Sequence, residues 1–152
     1  MTLIELMVVV TILAILTTGV GLSAGGLFSR PGGVSAAERL EQADRRARDL
    51  ALLSRGVTGL YPRESGWVLA RQDVAGQWLP EGAPLRIAGA SILWNVDGAR
   101  YLPRVADPAP GDAPPIQIAA DGGSTPFALD LVIRGESLRC TAGLGGSLRC
   151  GR

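Results

Sequence analysis

The stretch Met1-Thr2-Leu3-Ile4-Glu5-Leu6-Met7-Val8-Val9-Val10-Thr11-Ile12-Leu13-Ala14-Ile15-Leu16, continuing to Phe28, decides how the remaining sequence is read. From Leu6 to Phe28 it runs 23 residues without a charge. As a helix those residues extend about 35 Å, enough to cross a hydrocarbon core of about 30 Å. The single carboxylate, Glu5, sits at the edge of the run. An unpaired carboxylate there is costly, about 2.5–3.5 kcal/mol near the centre of a membrane helix. A free α-amino group at residue 1, on the same chain or a neighbour, would offset that cost. Pairing between chains would fix a stagger, so Glu5 and Met1 read as an assembly and register pair.

Thr2-Leu3-Ile4-Glu5-Leu6 followed by the apolar run to Leu16 resembles the mature N-terminus of type IV pilins and type II secretion pseudopilins. The resemblance implies a short basic leader ending in Gly, its removal by prepilin peptidase, and N-methylation of residue 1. That residue is Met1 here, where the family usually has Phe. A secretory signal peptide fits poorly, because the basic n-region is missing and Glu5 is out of place for one.

Beyond the run, the 152-residue chain is 47% apolar with a formal charge of +1. That composition allows one modest domain and carries no general electrostatic signal for nucleic acid. All 15 basic residues are Arg, and there is no His, which removes the commonest general base and metal ligand. Gly21-Leu22-Ser23-Ala24-Gly25 imitates a nucleophile elbow, but that motif needs a His partner and a strand–turn–helix setting. The same glycines fit small-residue helix packing instead, and with Gly19 and Gly26 they weaken the helix. No catalytic residue and no cofactor is expected.

Arg30-Pro31-Gly32-Gly33 reads as a hinge at Pro31, Gly32 and Gly33, since proline removes a backbone donor and restricts its predecessor. A second helix is expected from Ser35, with Ser35-Ala36-Ala37-Glu38 as a capping box and Gly56 past its end. Ala36, Ala37, Leu40, Ala43, Ala47, Leu50, Ala51 and Ser54 form its apolar stripe. Glu41/Arg45 and Asp44/Arg48 are i,i+4 pairs, read as a charged face either solvated or turned to neighbouring subunits.

Short strands follow: 57–61, 66–71, 84–88, 91–96, 116–120, 127–133 and two C-terminal segments. Trp67, Trp78 and Trp94 are expected in the core. Residues 101–115 hold five prolines and read as a long loop, either mobile or a contact surface. Asp107, Asp112 and Asp121 are conceivable calcium ligands, since the resemblance includes calcium-binding major pseudopilins, yet their spacing is not diagnostic.

Residues 43–56, the Gly66-Trp67-Val68-Leu69 segment, and above all Ile116-Gln117-Ile118-Ala119-Ala120-Asp121-Gly122-Gly123-Ser124-Thr125-Pro126-Phe127-Ala128-Leu129 resemble the H-type minor pseudopilin domain. The same domain family includes FimU- and FimT-like minor pilins. The resemblance implies an α+β, pilin-like fold, with a long N-terminal hydrophobic helix packed on an antiparallel β-sheet domain. It divides the chain into a transmembrane or filament-core helix (1–28), a Pro-Gly hinge (29–33), an amphipathic helix (34–55) and a periplasmic β domain (56–152).

The implied protein is a non-catalytic minor pseudopilin of a type II secretion system, single-pass in the bacterial inner membrane with its C-terminal domain in the periplasm. Its implied partners are the I-, J- and K-type minor pseudopilins, the G-type major pseudopilin, prepilin peptidase and the inner membrane. The alternative is a type IV pilus minor pilin, including a DNA-uptake receptor that would use Arg134, Arg139, Arg149 and Arg152. Nucleic acid is otherwise not an expected partner.

Ser137-Leu138-Arg139-Cys140 and Ser147-Leu148-Arg149-Cys150 repeat around a Gly-rich turn, so a hairpin would bring Cys140 and Cys150 together. A periplasmic location would oxidise them. Buried free thiols, or metal ligation, are the other readings of the pair.

Overall fold

The computed structural model describes residues 4, 5, 7, 8, 32–109 and 111–151. Residues 1–30 form one compact unit and 31–152 another. In the first unit, Ile4, Glu5, Met7 and Val8 are helical and exposed. Among the described residues, no helix is long and apolar enough to cross a membrane.

The second unit opens with α1, Gly32–Ser54. The helix therefore starts before Ser35, which lies inside it and not at its cap. Gly32 and Gly33 belong to its first turn, while residues 29–31 of the expected hinge lie outside the described residues. The buried stripe of α1 is Ala36, Leu40, Asp44, Ala47 and Ala51, each 3% exposed or less. The small alanines let the sheets approach the helix closely. Leu52 and Leu53 face solvent.

Among the described residues ten strands follow: β1 (Thr58–Arg63), β2 (Gly66–Gln72), β3 (Trp78–Pro80), β4 (Leu85–Arg86), β5 (Ala90–Val96), β6 (Ala99–Tyr101), β7 (Ile116–Ile118), β8 (Phe127–Ile133), β9 (Glu136–Ala142) and β10 (Arg149–Gly151). They make two sheets. One runs β3-β2-β1-β7 with β4 also on β2, and the other runs β10-β9-β8-β5-β6. Every pairing is antiparallel. The fold is therefore α+β, a helix on antiparallel sheets, as the pilin-like expectation required.

Phe127–Ile133 occupies the expected residues, and its alternation places Phe127, Leu129, Leu131 and Ile133 inward. Strands β3 and β6 were not expected. Strand β3 is three residues long and ends in Pro80, which weakens its signal. The signal for β6 was present in Asp97-Gly98, whose φ values of 51° and 78° make the tight hairpin turn that joins β5 to β6. Arg134-Gly135 repeats the device between β8 and β9, with φ values of 50° and 84°.

The main core joins the α1 stripe to Leu60, Trp67, Ile116 and Ile118 of the first sheet and to the inward row of the second. Trp94 is its hub. Its ring meets Trp67 edge-on at 6.1 Å and Phe127 at 6.2 Å, and its indole N–H donates to the Arg63 carbonyl at 2.9 Å. All three tryptophans are buried, as expected of core residues. The opposite face of the first sheet carries a second cluster of Tyr61, Val68, Ala70 and Trp78.

The proline-rich loop is tied to that face. Pro114 is buried over Gly59, where a Cβ would stand 2.1 Å from the Pro114 ring, so only glycine fits. The Tyr61 hydroxyl donates to the Asp112 carbonyl. The Arg63 guanidinium donates to the carbonyls of Arg104 and Ala106 (2.6 Å to the latter) and pairs with Asp107 at 2.9 Å.

Candidate functional site

Three features of the 31–152 unit bear on what it can do: a polar knot at the helix, the outer sheet face with its arginines, and two surface concavities. The knot grows from the two acidic residues that the sequence placed on a charged face. Asp44 falls on the helical spacing Leu40, Asp44, Ala47, Ala51, and its side chain is wholly buried. Burying a carboxylate requires a cation or hydrogen-bond donors. Asp44 Oδ2 has both: Arg48 Nε at 2.9 Å and the backbone N–H of Leu148 at 2.8 Å. Arg48 continues to Ser124 Oγ at 3.3 Å and the Gly122 carbonyl at 3.5 Å, and Ser124 bonds the backbone of Gly143 and Leu144. One ion pair thus joins α1, the β7–β8 turn and the β9–β10 loop.

One turn earlier, Glu41 Oε2 pairs with Arg45 at 3.3 Å while Oε1 accepts the backbone N–H of Cys150 at 2.9 Å. Both acidic residues therefore hold the C-terminal hairpin, and the solvated-face reading does not apply to Asp44. Cys140 and Cys150 are directly paired across β9 and β10 and form a disulfide. Of the three readings of the cysteine pair, this is the one the structure shows.

The arginines considered for DNA contact are spread out. Arg139 and Arg149 lie on the exposed face of the second sheet, with Asp130 directly across from Arg139 at 3.7 Å. Arg134 lies in the β8–β9 turn, at the other end of β9 from the Arg149 pairing. Arg152 lies outside the described residues, as do Met1 and Pro31.

The three aspartates weighed as calcium ligands each have a protein partner. Asp107 pairs with Arg63, Asp112 with Arg104 at 3.4 Å, and Asp121 accepts the Gly123 N–H at 2.9 Å. Among the described residues no three acidic, His or Cys side chains converge.

A cleft of about 260 Å³ lies under the proline-rich loop, lined by Tyr61, Arg63, Tyr101 and Asp112. Burial, with Asp112 and Tyr101 adding to it, raises the Tyr61 pKa above the usual tyrosine value. A wider groove of about 570 Å³ runs between α1 and the β2–β4 edge, lined by Trp67, Leu69, Leu50, Arg39, Arg46 and Glu81. An open, mixed apolar and charged groove suits contact with another macromolecule better than enclosure of a small one.

The described residues thus form a helix laid over two antiparallel sheets, with short hairpins between strands. No protein-family model and no curated protein sequence matches the chain. Among solved structures, the fold is similar to the minor pseudopilin EpsH from the Type 2 Secretion System of Vibrio cholerae. The TM-score is 0.61 at 20% identity, covering 78% of this chain and 94% of that one. A second structure of EpsH gives 0.60 at 21% identity, covering 77% and 90%. The solution structure of GspH from Escherichia coli gives 0.51 at 22%, covering 79% and 87%. The chain thus has a GspH-like, pilin-like fold.

Proposed function

We propose that this protein is a minor pseudopilin of a type II secretion system. It is a structural, non-catalytic subunit at or near the pseudopilus tip that helps export folded proteins across the outer membrane. The observation that carries this reading is the co-occurrence, in one chain, of the Thr2–Leu16 motif with a fold similar to EpsH over nearly all of the EpsH chain. Neither alone would suffice: the motif is shared by all pilin-like subunits, and the fold at this identity speaks only for architecture.

In this reading the apolar run is held in the inner membrane and is then withdrawn into the filament. Met1 is the processed and N-methylated residue after prepilin peptidase has acted. Glu5 sets the stagger against the amino terminus of a neighbouring subunit, and Pro31, Gly32 and Gly33 serve as a hinge. The 31–152 unit faces the periplasm and meets the I-, J- and K-type minor and G-type major pseudopilins laterally. The DNA-uptake alternative has weaker support, since Asp130 faces Arg139 and Arg134 is remote from Arg149.

Glu5→Ala tests the assembly role. Its co-purification with sheared pseudopili should fall at least tenfold, while the disulfide-bonded domain keeps its circular dichroism spectrum. Undiminished incorporation would refute the register role.

A further inference from the structure

Strand β10 is the edge of the second sheet, three residues long, with only β9 beside it. Such an edge presents unpaired backbone donors along its outer side, at every second residue. Here the outward donors are Cys150 N–H within the strand and Leu148 N–H just before it, and both are taken by helix carboxylates, Glu41 at 2.9 Å and Asp44 at 2.8 Å. The helix and the strand run in opposite directions. Three residues of helix rise about 4.5 Å and two residues of strand about 6.6 Å, and the longer Glu41 side chain makes up the difference.

The same Cys150 that donates to Glu41 is bonded to Cys140, opposite it on β9. The ladder from β10 to β9 spans only three residue pairs, and β8, β5 and β6 lie beyond β9. Besides the bridge, that short ladder, the two carboxylates and the buried Leu148 just before the strand hold β10 in place. Leu148 (1% exposed), Cys140 and Ala142 belong to the main core together with Ala47 of the helix, and Asp44 is buried as well.

We propose that Glu41, Asp44 and the Cys140–Cys150 pair form a redox latch. Formation of the disulfide seats β10 on α1, and its reduction by a dithiol, the reverse of the exchange below, releases the strand and uncovers this side of the helix. The oxidant is a disulfide donor. One thiolate attacks the donor disulfide and expels a donor thiol, giving a mixed disulfide. The second thiolate then displaces the other donor sulfur, leaving the protein disulfide and a reduced dithiol donor. The carboxylates select the outcome: the oxidised hairpin points two adjacent N–H donors at two acceptors one helical turn apart. Gly145 and Gly146, beyond the Ser124 contacts to Gly143 and Leu144, supply the freedom to open. This latch stands on the 31–152 unit alone and does not depend on the proposed secretion role.

Amide hydrogen exchange of the full-length chain in detergent reads the latch directly. In the oxidised protein the Leu148 and Cys150 amides should be protected. Reduction with a phosphine, or the C140S/C150S double variant, should speed their exchange at least tenfold, while the Leu60 amide in β1 keeps its protection. Glu41→Ala in the oxidised chain should speed Cys150 exchange severalfold. The same substitution in the reduced chain should change nothing, because the partner has already left.

Protection at 148 and 150 that survives reduction would overturn the latch. So would loss of Leu60 protection in parallel, which would make the disulfide a global staple. An equal effect of Glu41→Ala in both redox states would show that bridge and carboxylate are uncoupled, and would overturn it as well.

Discussion

Replacing Arg48 by Ala is expected to cost this domain about 3–5 kcal/mol, because it strands a buried carboxylate. The Asp44 side chain is fully buried, and its one cationic partner among the described residues is Arg48 Nε at 2.9 Å. The Leu148 N–H would remain, but a single amide does not offset a desolvated charge. Asp44 Oδ1 already has no hydrogen-bond partner among the described residues, so the site has no spare donor to turn to the loss. The substitution also removes the links to Ser124 and Gly122, loosening the β7–β8 turn and the loop it holds.

Against a typical total of about 5–15 kcal/mol, such a loss is severe, and the melting temperature should fall by roughly 15 °C or more. The contrast that identifies the cause is the double replacement R48M with D44L. Removing both charges should recover more than half of the loss, since an apolar pair of similar volume is often neutral. Thermal melts followed by circular dichroism would show the order wild type, double variant, then R48A. A loss below about 1 kcal/mol for R48A would mean that the pair behaves as an exposed one.

Trp94→Ala is the second large effect, also about 3–5 kcal/mol. The indole is 2% exposed and touches Trp67 and Phe127, so it bridges the two sheets. Truncation leaves a cavity that rigid neighbours on both sides cannot close, and it orphans the Arg63 carbonyl that the indole N–H now satisfies. That carbonyl belongs to the residue whose side chain holds the proline-rich loop, so the damage should reach residues 104–107. Trp94→Phe keeps most of the apolar contact and loses the hydrogen bond, and should cost about 1–2 kcal/mol. Chemical denaturation of the two variants would separate the packing contribution from the hydrogen bond. Equal losses would place the whole effect in the bond.

The two effects differ in how far the sequence announced them. Trp94 sits in an alternating strand and was legible as core. The alternation of Phe127–Ile133 likewise fixed which residues point inward, and the repeated Ser-Leu-Arg-Cys segments foretold the hairpin that the disulfide closes. Asp44 was misread because an i,i+4 acid–arginine pair on a helix is ordinarily exposed. A signal did exist, since the spacing 40, 44, 47, 51 passes straight through it. Nothing in the local sequence announces that Leu148, 104 residues away, supplies its donor.

The proline-rich loop was illegible for the same reason. Its anchors are Gly59, Tyr61 and Arg63, on a strand some 43 to 55 residues before the loop residues they hold. Periodicity reports which face of an element is apolar, but not which distant backbone groups will meet it. The functional elements divide along the same line. The proposed register role of Glu5 rests on a local motif, whereas any lateral surface depends on tertiary placement.

The central claim, membership of a type II pseudopilus, is tested most directly by deleting the gene and scoring exoenzyme secretion and surface piliation in the same culture. The account predicts loss of secreted hydrolases from the medium with pili intact, restored by the wild-type chain and not by Glu5→Ala. Normal secretion together with lost piliation or lost DNA uptake would contradict it and assign the chain to a type IV pilus.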